Sequence, residues 1–372
     1  MAVRLAAAHA LEGHDVTIAA HTPSGTVLEL KEVYDRMPGF GDVRQIFFEE
    51  DSLFERLSAV AALRSMPTYL GRADFVHLHG LWRPLLLRAA QYCRSAGVPY
   101  AITPHGMLNN WAMSQKRAKK ALAMRLGWRR ALSEAAFLHF LSSDERIDAA
   151  ALGLRTPAVI RPNGVSIAEM SALTPVDPAF AAVLPKRYLL FLARLQYSKG
   201  LDVLCEAFDQ LAAMHPELHL IIAGPDFGFG HQLRELIAQS AHGARMHAIG
   251  GVYGGNKLHL LRQAVCLCHP TRHEAFSLTI LEALASALPV VTTAQSHFPE
   301  LQASGAGFIT ELTPDAIGAA VSTLVLDAKL RARMGAAGRE LVAERYGWSA
   351  IARDMTDSYK EAIRSPFARN IS

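Results

Sequence analysis

Twelve short apolar runs, most of them separated by segments of helical periodicity, restrict this chain to one kind of fold. In the first half they are VTIAA (16–20), VRQIFF (43–48), FVHLH (75–79), YAIT (100–103), FLHFL (137–141) and AVIRP (158–162). In the second half they are YLLFLA (188–193), LHLIIAG (218–224), RMHAIG (245–250), AVCLCHP (264–270), LPVVTT (288–293) and GAGFI (305–309). Between them lie stretches such as DVLCEAFDQLAAM (202–214), whose apolar residues recur at the spacing of a helix with one buried face. Strand and helix in alternation imply parallel sheets covered on both faces.

The series breaks at SALTPVDPAFAAVLPKR (171–187), where Pro175, Pro178 and Pro185 rule out a long helix. With 372 residues, two doubly wound domains are expected. The boundaries read as 1–168 for an N-terminal domain, 169–187 for a linker, 188–345 for a C-terminal domain and 346–372 for a terminal helix. Ligands of such sheets bind beyond the carboxyl ends of the strands, so a cleft between the two is the expected site.

Composition narrows the partners. Net charge is +4, enough for a local basic patch but not the signature of a nucleic-acid binder. No run approaches the roughly 18 apolar residues of a membrane span. At the start, His9, Glu12, His14 and Asp15 interrupt MAVRLAAAHALEGHDV, which reads as a helix ended by Gly13 and not as a signal peptide. The four cysteines lie in apolar contexts without metal spacing, the pattern of buried thiols in a reducing cytosol, and Cys266 and Cys268 alternate within one strand and so face one way.

Three stretches carry chemistry. YLLFLARLQYSKGLDVL (188–204) places Arg194 just past a strand and Lys199-Gly200 just before a helix, which makes an anion site suited to a diphosphate. After the next strand, Gly224, Gly228 and Gly230 permit close backbone approach, but the run does not match a dinucleotide fingerprint. TRHEAFSLTILEALASALPVV (271–291) carries two glutamates eight positions apart. Ser277 is placed to cap the helix that begins at Leu278. Glu274 in the loop and Glu282 in the helix therefore lie at the ligand end of the sheet, where sugar hydroxyls are suitable donors to both. A carboxylate among leucines and alanines also demands a partner of its own.

Together these residues resemble the retaining glycosyltransferases of family 4 (group 1). The likeness lies in E-x7-E on a strand–loop–helix, preceded by A-R-L-x-x-x-K-G on the first strand of the same domain. Pro162-Asn163-Gly164-Val165, HFPEL (297–301) and ERYGWSAIARDMTDSYKEAI (344–363) extend the likeness over most of the chain. HLHGLW (77–82) and TPHGMLNNWAMSQKRAKKAL (103–122) are similar to the members that build exopolysaccharide and lipopolysaccharide.

The resemblance implies a GT-B fold, two facing Rossmann-like domains with a C-terminal helix that crosses back to the first. It implies transfer of a sugar from a UDP- or GDP-linked donor to a saccharide or lipid-linked acceptor, with retention and without a metal cofactor. Arg194 and Lys199 would hold the donor diphosphate, Glu282 the ribose and Glu274 the transferred sugar, with Gly224, Ala275, Phe276, Ser277 and Leu278 lining the donor side. His105 would lie near the sugar. His79, Trp111, Lys116, Arg117, Lys119 and Lys120 fall on the acceptor or membrane side. There the run 109–132 reads as a basic helix with Trp111 and Trp128, suited to an anionic membrane surface. Location would be cytoplasmic, peripheral on the inner face of the plasma membrane.

His77 and His79 share one strand face, but spacing places no third metal ligand beside them. Family members open with a strand and a glycine-rich loop that this chain lacks, and its loop has Ala275 and Ser277 where glycine is frequent. A nucleotide-sugar-binding subunit without turnover, and an epimerase or phosphorylase on the same fold, are the other readings.

Overall fold

A computed structural model describes residues 1–22, 37–49, 59–274 and 276–365. Each of the twelve apolar runs overlaps a strand, and all are paired in parallel. By contact the chain divides into two compact units, Met1–Asn163 together with the residues from Trp348 on, and Gly164–Gly347.

In the first unit β1 (Thr17–Thr22) pairs with β2 (Arg44–Glu49), and a second sheet runs in the order β3 (Val76–His79), β4 (Tyr100–Thr103), β5 (Phe137–Phe140), β6 (Ala158–Ile160). β4 and β5 are buried along their whole length, as strands covered on both faces must be. Helix Trp348–Arg364 belongs to this unit. Its Trp348, Ile351, Ala352 and Met355 pack on Leu5 and Ala8 of the first helix and on Ala101 and Phe137 of the sheet.

The second unit holds one six-stranded sheet. β7 (Tyr188–Leu192), β8 (His219–Ala223), β9 (Met246–Gly250), β10 (Leu267–His269), β11 (Val290–Thr293) and β12 (Gly307–Thr310) lie in the order β12-β11-β10-β7-β8-β9. The order reverses between β7 and β10, and open sheets bind ligands beyond the carboxyl ends of the strands at such a reversal. Apolar side chains fill both faces. Phe191, Phe208 and Leu211 are in one core; Leu190, Ile280 and Leu284 are in the other. Cys266 and Cys268 are buried with their sulfurs 3.8 Å apart.

Two expectations take a different form. Residues 169–187 lie within the second unit, which includes the short helices Ile167–Ser171 and Pro178–Ala182. The basic run 109–132 is not one helix. It divides into Asn110–Ser114, Arg117–Ala123, a wide turn at Met124–Trp128 and Arg129–Ser133. Lys116 at φ 51° and Gly127 at φ 134° interrupt it, because neither conformation continues a right-handed helix. Among the described residues no helix is long and apolar enough to cross a membrane.

Candidate active site

The loop after β7 runs from Ala193 to Gly200 and meets the loop after β10. Gly200 has φ 66°, and a β-carbon there would stand 1.9 Å from the carbonyl oxygen of Pro270, so only glycine lets the two loops touch. The contact is riveted by Arg272. Its guanidinium donates to both carboxylate oxygens of Asp202 at 2.8 and 2.7 Å, donates to the Tyr197 carbonyl at 2.9 Å and lies 4.1 Å from the Tyr197 ring centroid. Burial pushes the Asp202 carboxyl up, but the Arg272 hydrogen bonds and charge outweigh it and hold the group below its ordinary range.

This contact brings Lys199 to Glu274. The ammonium, on a residue only 7% exposed, donates to Glu274 Oε2, which also lies 3.3 Å from His269 Nε2. Burial alone would raise the Glu274 carboxyl; the His269 hydrogen bond and the Lys199 charge overcome that and lower it to about 2. Glu274 is therefore ionised at neutral pH. The Nδ1 of His269 is buried with no hydrogen-bond partner among the described residues.

Glu282 has its own partner. Lys257, from helix Gly254–Gln263, donates to it at 2.7 Å, and this pair is about one-fifth to one-quarter exposed. Ser277 caps helix Leu278–Ala285 by accepting from the Ile280 N–H at 3.3 Å. Phe276 packs near Phe298 and Tyr346, and Leu278 is exposed. Ala275 lies outside the described residues. Arg194 is on the same loop as Lys199 but is exposed, with its guanidinium 5.0 Å from the Phe227 ring centroid.

Three glycine positions have local explanations. A β-carbon on Gly224 would stand 1.7 Å from the Ala193 carbonyl oxygen, so the residue is needed for strand-to-strand approach. The turn at Gly228–Gly230 is occupied by Asp226, whose Oδ1 accepts the N–H groups of residues 228, 229 and 230 at 2.9–3.1 Å. A carboxylate from the chain itself thus takes the place an external anion would need.

In the first unit His105 follows β4 with φ 53°, a left-handed conformation uncommon for residues with a β-carbon. The carboxylate of Glu145, 3% exposed, fixes this turn by accepting the Gly106 N–H at 2.5 Å and the Leu141 N–H at 2.8 Å. His79 Nδ1 lies 3.2 Å from His105 Nε2. Burial first, then His139, lowers the His105 imidazole to about 4, so it is neutral at pH 7. Among the described residues no cluster of three or more His, Cys, Asp or Glu side chains is arranged to hold a metal ion.

The basic segment shows two departures. Trp128 is buried, edge to face with Trp82 at 5.8 Å, because the apolar side of the broken helix turns into the core. The Lys120 ammonium donates to the Ala112 carbonyl at 2.5 Å and lies 5.7 Å from the Trp82 ring centroid, so it faces protein. Lys116, Arg117, Lys119, Arg125 and Arg129 are exposed, as are Leu122 and Leu126. The side chain of Trp111 lies outside the described set.

Lys257, His269 and Arg272 escape sequence reasoning. A polar residue ending the apolar run LCH was a usable signal for His269. Nothing in the sequence links Arg272 to Asp202, 70 positions away.

Comparison with known proteins agrees with this architecture. The family model for glycosyl transferases group 1 matches residues 177–341, and that for a glycosyl transferase 4-like domain matches residues 1–164. A glycogen synthase of Mycobacterium tuberculosis is 27% identical over 390 residues, 97% of this chain and 90% of that one. A phosphatidyl-myo-inositol mannosyltransferase of Mycolicibacterium smegmatis is 30% identical over 213 residues, 56% of this chain and 53% of that one. The crystal structure of Anabaena HepE in complex with UDP and glucose superposes with a TM-score of 0.74 at 16% identity, over 97% of this chain and 96% of that one. Two matched halves, the parallel sheets and the returning C-terminal helix lead to one conclusion: the chain belongs to the group 1 glycosyltransferases of family 4 and has their GT-B fold.

Proposed function

We propose that this glycosyltransferase takes a hexosyl group from a UDP- or GDP-linked donor and passes it, with retention and without a metal, to a saccharide acceptor carried on a lipid. The observation that carries the reading is the Lys199–Glu274 pair at the strand-order reversal of the second sheet, with Lys257–Glu282 on the neighbouring helices. Glu274 is an ionised acceptor for sugar hydroxyls. Lys199 supplies positive charge for the departing diphosphate, and Arg194, exposed on the same loop, is free to swing from Phe227 to the second phosphate. Fixed charge placed where negative charge develops lowers the barrier without reorganisation. Glu282 binds the ribose, and the departing phosphate takes the acceptor's proton on the same face of the sugar. His105 donates to or accepts from the sugar as a neutral ring.

The mannosyltransferase relative acts on a phosphatidyl-inositol, which supports a lipid-linked acceptor. Exposed Leu122 and Leu126 among six exposed cations, Arg130 included, support a peripheral site on the inner face of an anionic membrane. The product fits cell-surface polysaccharide.

Titration calorimetry with UDP-glucose and GDP-mannose, paired with measurement of released nucleoside diphosphate, tests the reading. Binding and turnover are expected in the native chain, with turnover reduced at least about a hundredfold in Glu274→Ala. Binding without turnover would make the chain a donor-binding subunit. Absence of binding to any nucleotide-sugar would overturn the proposal.

A further inference from the structure

Behind His105 lies an ordered array of imidazoles that reaches the C-terminal helix. His139 Nε2 lies 2.8 Å from the Arg161 carbonyl oxygen, which can only accept, so Nε2 carries the proton and Nδ1 is an acceptor. Thr103 Oγ1, 2.8 Å from that Nδ1, must then donate to it. Thr103 has spent its single proton and accepts from His77 Nε2 at 2.6 Å. His77 Nδ1 is left as an acceptor, and the Tyr359 hydroxyl donates to it at 2.6 Å. Every proton in the chain Tyr359–His77–Thr103–His139–Arg161 is assigned by one carbonyl group. Both nitrogens of His77 are engaged, so its ring cannot flip.

That locked ring is the floor for the next one. His79 stacks on His77 with centroids 4.2 Å apart and planes at 29°, and it stacks on His105 at 5.4 Å and 23°. His79 Nδ1 then meets His105 Nε2 at 3.2 Å. Tyr359 is itself held in place by its ring, which stacks on Phe75 at 4.5 Å and lies over Phe137 at 6.2 Å. The hydroxyl can therefore be removed with the ring left in its slot.

We propose that Tyr359 is a positioning residue for His105, acting from the C-terminal helix through the stacked rings of His77 and His79. The inference rests on the reading of His105 as a donor-side group, and the two are tested apart. The helix that returns from the second unit would thereby set the geometry of a site histidine about 250 positions earlier in the chain.

The test uses the full chain labelled with 15N-histidine, with ring signals assigned by single His→Gln variants. In the native protein His77 and His139 are expected as single Nε2–H tautomers. In Tyr359→Phe the His77 signal should lose its single-tautomer position, and the ring signals of His105, which Tyr359 does not touch, should move with it. Thr103→Val, which breaks the array from the other side, should give the same His105 displacement. A His105 signal unmoved in both variants, each with native circular dichroism, overturns the proposal. Turnover of UDP-glucose then separates the readings. If His105→Ala leaves kcat unchanged, the role of His105 is wrong while the array stands. If it lowers kcat, Tyr359→Phe is expected to lower kcat about tenfold with KM for the donor nearly constant. It should add nothing in the His105→Ala background, and additive losses would contradict transmission through that ring.

Discussion

Glu274 and Lys199 show why a buried acid and base at a sheet end need each other. Each is largely removed from water, and neither charge is tolerable there alone. Replacing Lys199 by Met is expected to lose turnover and to destabilise the second unit by about 3 kcal/mol, since a buried carboxylate is left with only His269. Denaturant unfolding checks the second effect, and restoration of stability by the further change Glu274→Gln would confirm its electrostatic origin. The glutamates were legible from their spacing. Their partners were less so. Lys199 could be paired with an anion by its place before a helix, whereas Lys257 is an ordinary lysine until the fold sets it beside Glu282.

Among elements, the decisive contact is between the loops after β7 and β10. Arg272 joins them with two charge-assisted bonds to Asp202 and a ring contact to Tyr197. A lysine cannot reproduce the planar fork or the stack. Arg272→Lys is therefore expected to cost about 1–2 kcal/mol of stability and to reduce kcat more than it weakens nucleotide binding. Thermal melts and calorimetry with UDP measure the two. The basic segment teaches a different lesson. Its composition reads as one amphipathic helix, yet Lys116 and Gly127 break it, and the breaks allow Trp128 to enter the core while Leu122 and Leu126 stay out.

Across the molecule, the two units should respond differently to acid. His9, His105 and His139, all in the first unit, are held at about 4 in the folded chain, chiefly by burial, against 6.5 when unfolded. Between those values the unfolded state binds protons that the folded state refuses, so stability is full above pH 6.5 and declines as pH falls below it. The buried His9 and His139 each contribute a slope of about 1.4 kcal/mol per pH unit at most. Glu274, in the second unit, has the opposite shift. Its stabilisation is present above 4.5 and is lost only as pH falls toward 2. The second unit's His219 and His247 are also lowered by burial, but they are more exposed and weigh less. Hydrogen exchange at pH 5 and pH 7, corrected for intrinsic rates, is expected to show protection falling in β3–β5 while β7, β8 and β10 hold. Equal losses in both units would refute this.

The sequence by itself determined the strands, their parallel pairing class and the end of the sheet to which Lys199 and Glu274 fall. Those features follow from local periodicity and from the chemistry of a strand–loop–helix, which act over a few residues. Only the tertiary structure decided which groups share charge and protons: Lys257 with Glu282, Arg272 with Asp202, and Tyr359 with His77 across 282 positions. Such partners are brought together by strand order and helix packing, and a residue's neighbours in sequence carry no record of what the fold will place against its side chain.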